Sequence, residues 1–262
     1  MTGERRDRRM YDHFSRVSGA YNELRTTDPE PIDTIRGRLG GRGPLRGADI
    51  GCGGGRYDLL LLRQIEGLHL ICNDVNGAMV EETERYLRSH GIGNFSTLVS
   101  DVASLELPEG SLDCILTFNA IHHFDPLLFL SKACRALNSG GQAFIYTRLR
   151  SQNARSVWGR FFPGFARVED RLYELSDVEA WSQAEKDLRL ASIDFFRFRR
   201  LASLDQLLQR ASGRHYSTFS LFAAEEFERS LAGFQERIRK SFVNCDRVEW
   251  FDENVIITFR KG

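Results

Sequence analysis

The chain has 262 residues, 42% of them hydrophobic, which is enough for one large α/β domain carrying an insertion, or for two smaller domains. Lysine plus arginine and aspartate plus glutamate balance at 36 each, so the broad basic face of a general polyanion binder is excluded. No apolar run approaches the ~18 residues of a membrane span.

The charge is uneven along the chain. Residues 47–147 hold 6 basic and 12 acidic side chains, whereas residues 148–214 hold 13 and 9. An acidic centre between mildly basic flanks suits a site that meets an anionic ligand with its flanks. Five cysteines, Cys52, Cys72, Cys114, Cys134 and Cys245, include no Cys-x-x-Cys pair, and they read as reduced, mostly buried thiols without a metal site. Arg5, Arg6, Arg8 and Arg9 are not followed by the apolar stretch of a secretory leader, so the expected location is cytoplasmic.

Residues 1–20 read as a short Arg-rich helical arm, with Tyr21 just beyond it. Asp28-Pro29-Glu30-Pro31 is a turn that starts a helix, and Gly37 to Gly47 forms a glycine-rich linker. Leu45 to Ile50 then predicts a first strand, and Arg56 to Glu66 a helix. Between them lies Asp49-Ile50-Gly51-Cys52-Gly53-Gly54-Gly55. Glycines let backbone approach a ligand, and the helix start offers free N–H groups to it.

Leu68 to Asn73 predicts strand two, ending at Asp74, and Asn76 caps the next helix. Asn94 to Ser100 is strand three, ending at Asp101, and Leu112 to Thr117 is strand four. Asp125-Pro126 opens a helix that Ser139-Gly140-Gly141 should end, and Gln142 to Thr147 is strand five. Strands and helices alternating at short intervals specify right-handed βαβ units and a parallel sheet covered on both faces.

After Arg150 the pattern becomes mainly helical. Ser176-Asp177-Val178-Glu179 and Ser203-Leu204-Asp205-Gln206 read as capping boxes, Ile193 to Arg199 as a strand, and Asn254 to Phe259 as the last strand. Trp158, Phe161 and Phe162, with His215-Tyr216-Ser217-Thr218-Phe219, are candidate pocket walls. Three segments follow: an arm and linker over 1–44, a core over 45–150 and a cap with the last strands over 151–262.

A dinucleotide fingerprint would place Gly or Ala where this chain has Arg56. Strands two and three nevertheless end in acids, Asp74 suited to ribose hydroxyls and Asp101 to an exocyclic amine. These motifs, with Asp74-Val75-Asn76, Ser100-Asp101-Val102, Leu112-Asp113, Asn119-Ala120-Ile121-His122-His123 and Arg135-Ala136-Leu137-Asn138-Ser139-Gly140-Gly141, occur in order over roughly residues 45–147. The set resembles the class I S-adenosylmethionine-dependent methyltransferases, in particular the group that includes ubiquinone/menaquinone-biosynthesis and trans-aconitate-like enzymes.

The resemblance implies a Rossmann-like, doubly wound, seven-stranded, mostly parallel α/β sheet with an antiparallel last strand and a mainly helical C-terminal cap insertion. It implies S-adenosyl-L-methionine as cofactor. Gly51, Gly53 and Gly55 would pass under its methionine part, beside Asp49 and Cys52. Asp74 with Val75 would hold the ribose, and Asp101 with Val102 the adenine. Asn119 would lie near the sulfonium, and Tyr21 would cover the cofactor.

His122 or His123 would act as base where the acceptor is protonated. Arg25, Arg148 and Trp158 would meet a small-molecule substrate, the arginines pairing bidentately with a carboxylate. Two other readings are an RNA methyltransferase and a cofactor-binding protein without turnover. A short-chain dehydrogenase is excluded, because none of the seven tyrosines has a lysine four residues on.

Overall fold

The computed structural model describes residues 11–15, 25–40 and 43–262. The chain divides into two compact units, each drawn from separate stretches of sequence. The sheet unit takes Thr26–Thr147, Leu175–Asp194 and Val255–Gly262. The aromatic unit takes Met1–Arg25, Arg148–Glu174 and Phe195–Asn254.

The sheet unit opens with α1 (Glu30–Leu39), ended by Gly40 in the left-handed region at φ 72°. Then come β1 (Leu45–Ile50), α2 (Arg56–Gln64), β2 (Leu68–Asp74), α3 (Gly77–Ser89), β3 (Phe95–Val99), β4 (Leu112–Phe118), α4 (Pro126–Ala136) and β5 (Leu137–Thr147). The start of α3 is held by Asn76, whose side chain accepts from the N–H groups of Ala78 and Met79. Asp125 does the same for α4 by accepting from Leu127 N–H, with Pro126 in the first turn.

Seven strands form one sheet in the order β3-β2-β1-β4-β5-β7-β6, where β6 is Leu188–Ala202 and β7 is Val248–Lys261. The pairs β1–β2, β1–β4, β2–β3 and β4–β5 are parallel, and β7 runs antiparallel to β5. This is the expected doubly wound sheet with its antiparallel last strand. The central strands are apolar almost throughout, because helices cover both faces. Ala48, Leu70, Leu116 and Ile257 are fully buried.

Two local expectations are corrected. Ser139-Gly140-Gly141 does not end a helix, since α4 already stops at Ala136 and β5 begins at Leu137. Leu137 pairs with Leu112 and Cys114 with Gln142, so the extra residues between are a bulge in the strand. Gly140 at φ 80° supplies the left-handed residue it needs. The second correction concerns Ser176, which lies inside the first turn of α8 (Leu175–Ala184) and not at its cap. The other box is as expected: Ser203 and Gln206 cap α9 (Leu204–Ser212) reciprocally.

The aromatic unit holds α5 (Arg150–Arg155), α6 (Val157–Phe161), α7 (Phe165–Val168), α9 and α10 (Ala224–Ser241). Its core is a cluster of rings. Trp158 stacks on Phe234 at 5.0 Å and meets Phe219 edge-on at 5.2 Å, and Phe162 contacts Phe219, Phe222 and Phe227. Such pairs each add about 0.5–1.5 kcal/mol beyond burial. Residues 11–15 are helical, and His13 is buried with its ring against the Ser220 hydroxyl at 3.0 Å. Among the described residues, no helix is long and apolar enough to cross a membrane.

Candidate active site

The order of the sheet reverses at β1 and β4, and ligands of open α/β sheets sit beyond the carboxyl ends of strands at such a switch point. The register brings the relevant ends level. Ile50 lies opposite Asn73, Asp74 opposite Val99, and Asp49 opposite Leu116. The glycine turn, Asp74, Asp101 and the Asn119 loop therefore leave the sheet along one edge.

The turn is tied down at several points. Gly51 and Cys52 N–H groups donate to the Asn73 carbonyl at 2.8 and 2.9 Å. Gly51, Gly53 and Gly55 all have positive φ. A Cβ on Gly51 would lie 2.6 Å from Cβ of Ala120, so the turn after β1 presses on the loop after β4. At Gly55 it would come within 3.0 Å of Thr83 on α3. Thr83 also donates its hydroxyl to the Gly53 carbonyl at 2.5 Å.

Asp74 accepts Gly53 N–H at 3.0 Å on one oxygen and Asn76 N–H at 2.9 Å on the other. Each carboxylate oxygen keeps a lone pair for a hydroxyl. Burial raises its pKa, and the three backbone donors of Asn76, Gly53 and Val75 oppose that rise. Val75, next along, is exposed. Asp101 is exposed and accepts from the Ser104 N–H at 2.7 Å and its hydroxyl at 3.0 Å, which lowers its pKa, while Val102 is buried. Asn119 stands at φ 55°, a region Asn tolerates better than most residues, and donates its N–H to the Tyr146 carbonyl at 2.7 Å. Beside it Tyr57 stacks on Phe118 with centroids 4.4 Å apart.

His122 and His123 lie in a single 3-10 turn, their rings 4.2 Å apart. His122 is half-buried and His123 exposed. Tyr21 lies outside the described residues. In the aromatic unit, Arg25 and Arg148 come to the same ring, that of Tyr216, at 4.7 and 5.8 Å. Arg148 also pairs with Asp252 at 3.3 Å. Trp158, expected at a pocket wall, is 2% exposed and sits in the ring cluster, where it backs His215 at 5.1 Å. His215 donates Nδ1–H to the Arg210 carbonyl at 3.0 Å. Burial, then the charge of Arg25, holds its pKa well below the usual histidine range.

Three residues at the glycine turn escaped the sequence reading. Asp58 is fully buried on α2, and Thr83 and Tyr57 pack beneath and beside the turn. Asp58 left one signal: it is an acid inside the otherwise apolar helical run Tyr57-Asp58-Leu59-Leu60-Leu61-Leu62. Thr83 left none, because its role depends on how α3 packs.

The turn brings backbone free of side chains at Gly51, Gly53 and Gly55 to the same edge as the Asp74 carboxylate, groups whose chemistry suits a nucleoside cofactor. Comparison with known proteins agrees. Residues 48–141 match the family described as "Methyltransferase domain". No curated protein matches the sequence. A protein of Bacillus halodurans C-125, described as a candidate methyltransferase, superposes with TM-score 0.64 at 16% identity, over 90% of this chain and 99% of that one. The YcgJ protein of Bacillus subtilis gives 0.63 at 17%, over 88% and 98%. Geranyl diphosphate C-methyltransferase of Streptomyces coelicolor A3(2), solved with Mg2+, geranyl-S-thiolodiphosphate and S-adenosyl-L-homocysteine, gives 0.55 at 17%, over 88% and 75%. The matched stretch, residues 48–141, contains the glycine turn, Asp74 and the Asn119 loop, so the site lies within the part of the chain that is similar to a methyltransferase domain.

Proposed function

We propose that this protein transfers a methyl group from S-adenosyl-L-methionine to a small-molecule acceptor. The observation that carries the reading is the turn after β1, where Gly51, Gly53 and Gly55 stand at positive φ with the Asp74 carboxylate beside them, at the carboxyl edge where β1 and β4 diverge. Bound there, the cofactor supplies an electrophilic methyl on a sulfonium. What the chain adds is alignment and exclusion of water. Gly51, Gly53 and Gly55 carry the methionine part and Asp49 and Cys52 flank it. Asp74 and Val75 take the ribose, Asp101 and Val102 the adenine, and Asn119 the neighbourhood of the sulfonium.

Histidine chemistry enters only for a protonated acceptor. His122 or His123 would then accept its proton at the moment of transfer. An anionic acceptor group suits Arg25 and Arg148, which share the Tyr216 ring. The Streptomyces enzyme was solved with a small diphosphate ligand, in keeping with that class. The even balance of charge over the whole chain favours a metabolite over RNA.

Calorimetry tests the cofactor. S-adenosyl-L-methionine should bind the intact protein, and Asp74→Ala should weaken binding by ~1–3 kcal/mol, the loss expected when a hydrogen bond to a charged group goes. Failure of the intact protein to bind would end the proposal. Labelled-methyl transfer into separate metabolite and tRNA pools tests the acceptor, with label expected in the metabolites. Label in tRNA alone would turn the assignment to RNA.

A further inference from the structure

Beneath the glycine turn lie two carboxyl groups, Asp49, which flanks the methionine part in the reading above, and Asp58, whose protonation the transfer step itself does not call on. Asp49 is the penultimate residue of β1 and is 1% exposed, and Asp58 on α2 is fully buried. They face one another within hydrogen-bond reach, and the Cys72 thiol of β2 meets Asp58. Apart from each other and that weak thiol donor, Asp49 Oδ1 and both Asp58 oxygens have no hydrogen-bond donor.

The titratable groups around the pair come from every neighbouring element: Asp74 from β2, Cys52 from the turn, Cys72 from β2 and Cys114 from β4. All are acids, and among the described residues no lysine or arginine joins them. Two buried carboxylates side by side with no cation beside them cannot both be ionised, because the Ile50 N–H that donates to Asp49 offsets only part of the desolvation and repulsion. A proton held between them satisfies the orphaned oxygens. The direction of both shifts agrees. Burial raises Asp58 to about 6, and burial with the Asp58 charge raises Asp49 well above the carboxylate range.

We propose that Asp49 and Asp58 share one proton in the cofactor-free protein, and that seating the cationic cofactor on the glycine turn expels it. The inference rests on the cofactor reading above. A cation beside the pair favours its fully ionised form, so the proton leaves to solvent and the pair becomes the cofactor's counter-charge. Affinity then rises with pH, up to tenfold per unit while one proton is released. Asp58 acts here through Asp49 and is a positioning residue.

The test is calorimetric titration of S-adenosyl-L-methionine into the full chain at neutral pH, in buffers of different ionisation enthalpy. The slope of observed heat against buffer enthalpy should give release of close to one proton, and Asp58→Asn should bind with release close to none. A wild-type slope of zero, or full release retained in Asp58→Asn, overturns the proposal. Should Asp58→Asn not fold, carboxyl carbon NMR of the cofactor-free wild type decides: one of the two must remain protonated at neutral pH, and two ionised carboxylates refute the pair. Absence of any binding heat would instead strike the cofactor reading, which the NMR titration does not depend on.

Discussion

Gly51 shows how much one residue can fix. Its φ of 79° belongs to the left-handed region, and any Cβ there would meet Ala120 at 2.6 Å. Gly51→Ala should therefore cost about 1–2 kcal/mol in backbone strain alone, with the overlap added. Chemical denaturation reads the stability, and calorimetry should show cofactor binding lost as the cradle opens. Full binding by the variant would mean that the turn is not the cradle. His215 makes a second case. Its folded pKa lies below the unfolded value near 6.5, so the folded chain stays neutral where the unfolded chain binds a proton. The stability it contributes is full above that unfolded value and is lost as pH falls below it, by up to ~1.4 kcal/mol per unit. The Asp49–Asp58 pair works in the opposite sense, since its raised pKa values favour the folded state as pH falls. Urea unfolding at pH 7 and pH 5 should thus be compared between wild type and His215→Gln, and the wild type should lose more stability on acidification. Equal losses would show that His215 is protonated in the folded protein.

At the scale of elements, the parts read correctly from sequence are those with local causes. Asn76, Asp125 and Ser203 cap helices through their own side chains, so the residues themselves carry the information. The β1 to β3 strands announce themselves by the acids at or near their ends, Asp49, Asp74 and Asp101, and β4 by its apolar run. The bulge at Ser139-Gly140-Gly141 could not be read this way, because a glycine pair after a helix has two uses. Which one applies is decided by the pairing of Leu137 with Leu112, a contact distant in sequence. Trp158 likewise looked like a ligand-facing aromatic, and only the surrounding Phe219 and Phe234 rings make it core. A consequence is testable on α10. Phe234 is fully buried and stacks on Trp158, so Phe234→Ala should destabilise by about 3–5 kcal/mol. Near-ultraviolet circular dichroism of the aromatic unit should weaken with it. A loss under about 0.5 kcal/mol, the range of surface substitutions, would place the ring outside the core.

Across the whole molecule, fold and site differ in how far sequence reveals them. The sheet was legible because βαβ alternation allows few topologies. The acids at the strand ends were legible because parallel register aligns whatever follows each strand. Asp58 and Thr83 were not, since their meaning arises when α2 and α3 fold over the turn. Arg25 and Arg148 lie 123 positions apart and meet only through Tyr216. The two units also interleave along the chain, so ligand binding to one can be followed separately in each. A cofactor seated on the glycine turn stabilises the folded sheet unit by mass action. At a hundredfold excess over Kd the gain is about 2.7 kcal/mol, or a rise in Tm of roughly 5–10 °C for a chain of this size. Differential scanning calorimetry should show that rise with S-adenosyl-L-methionine. Amide exchange should slow at residues 49–58 and 74–83, the turn and the start of α3. Protection confined to the aromatic unit, or a Tm that does not move, would place the ligand away from the carboxyl edge of β1 and β2.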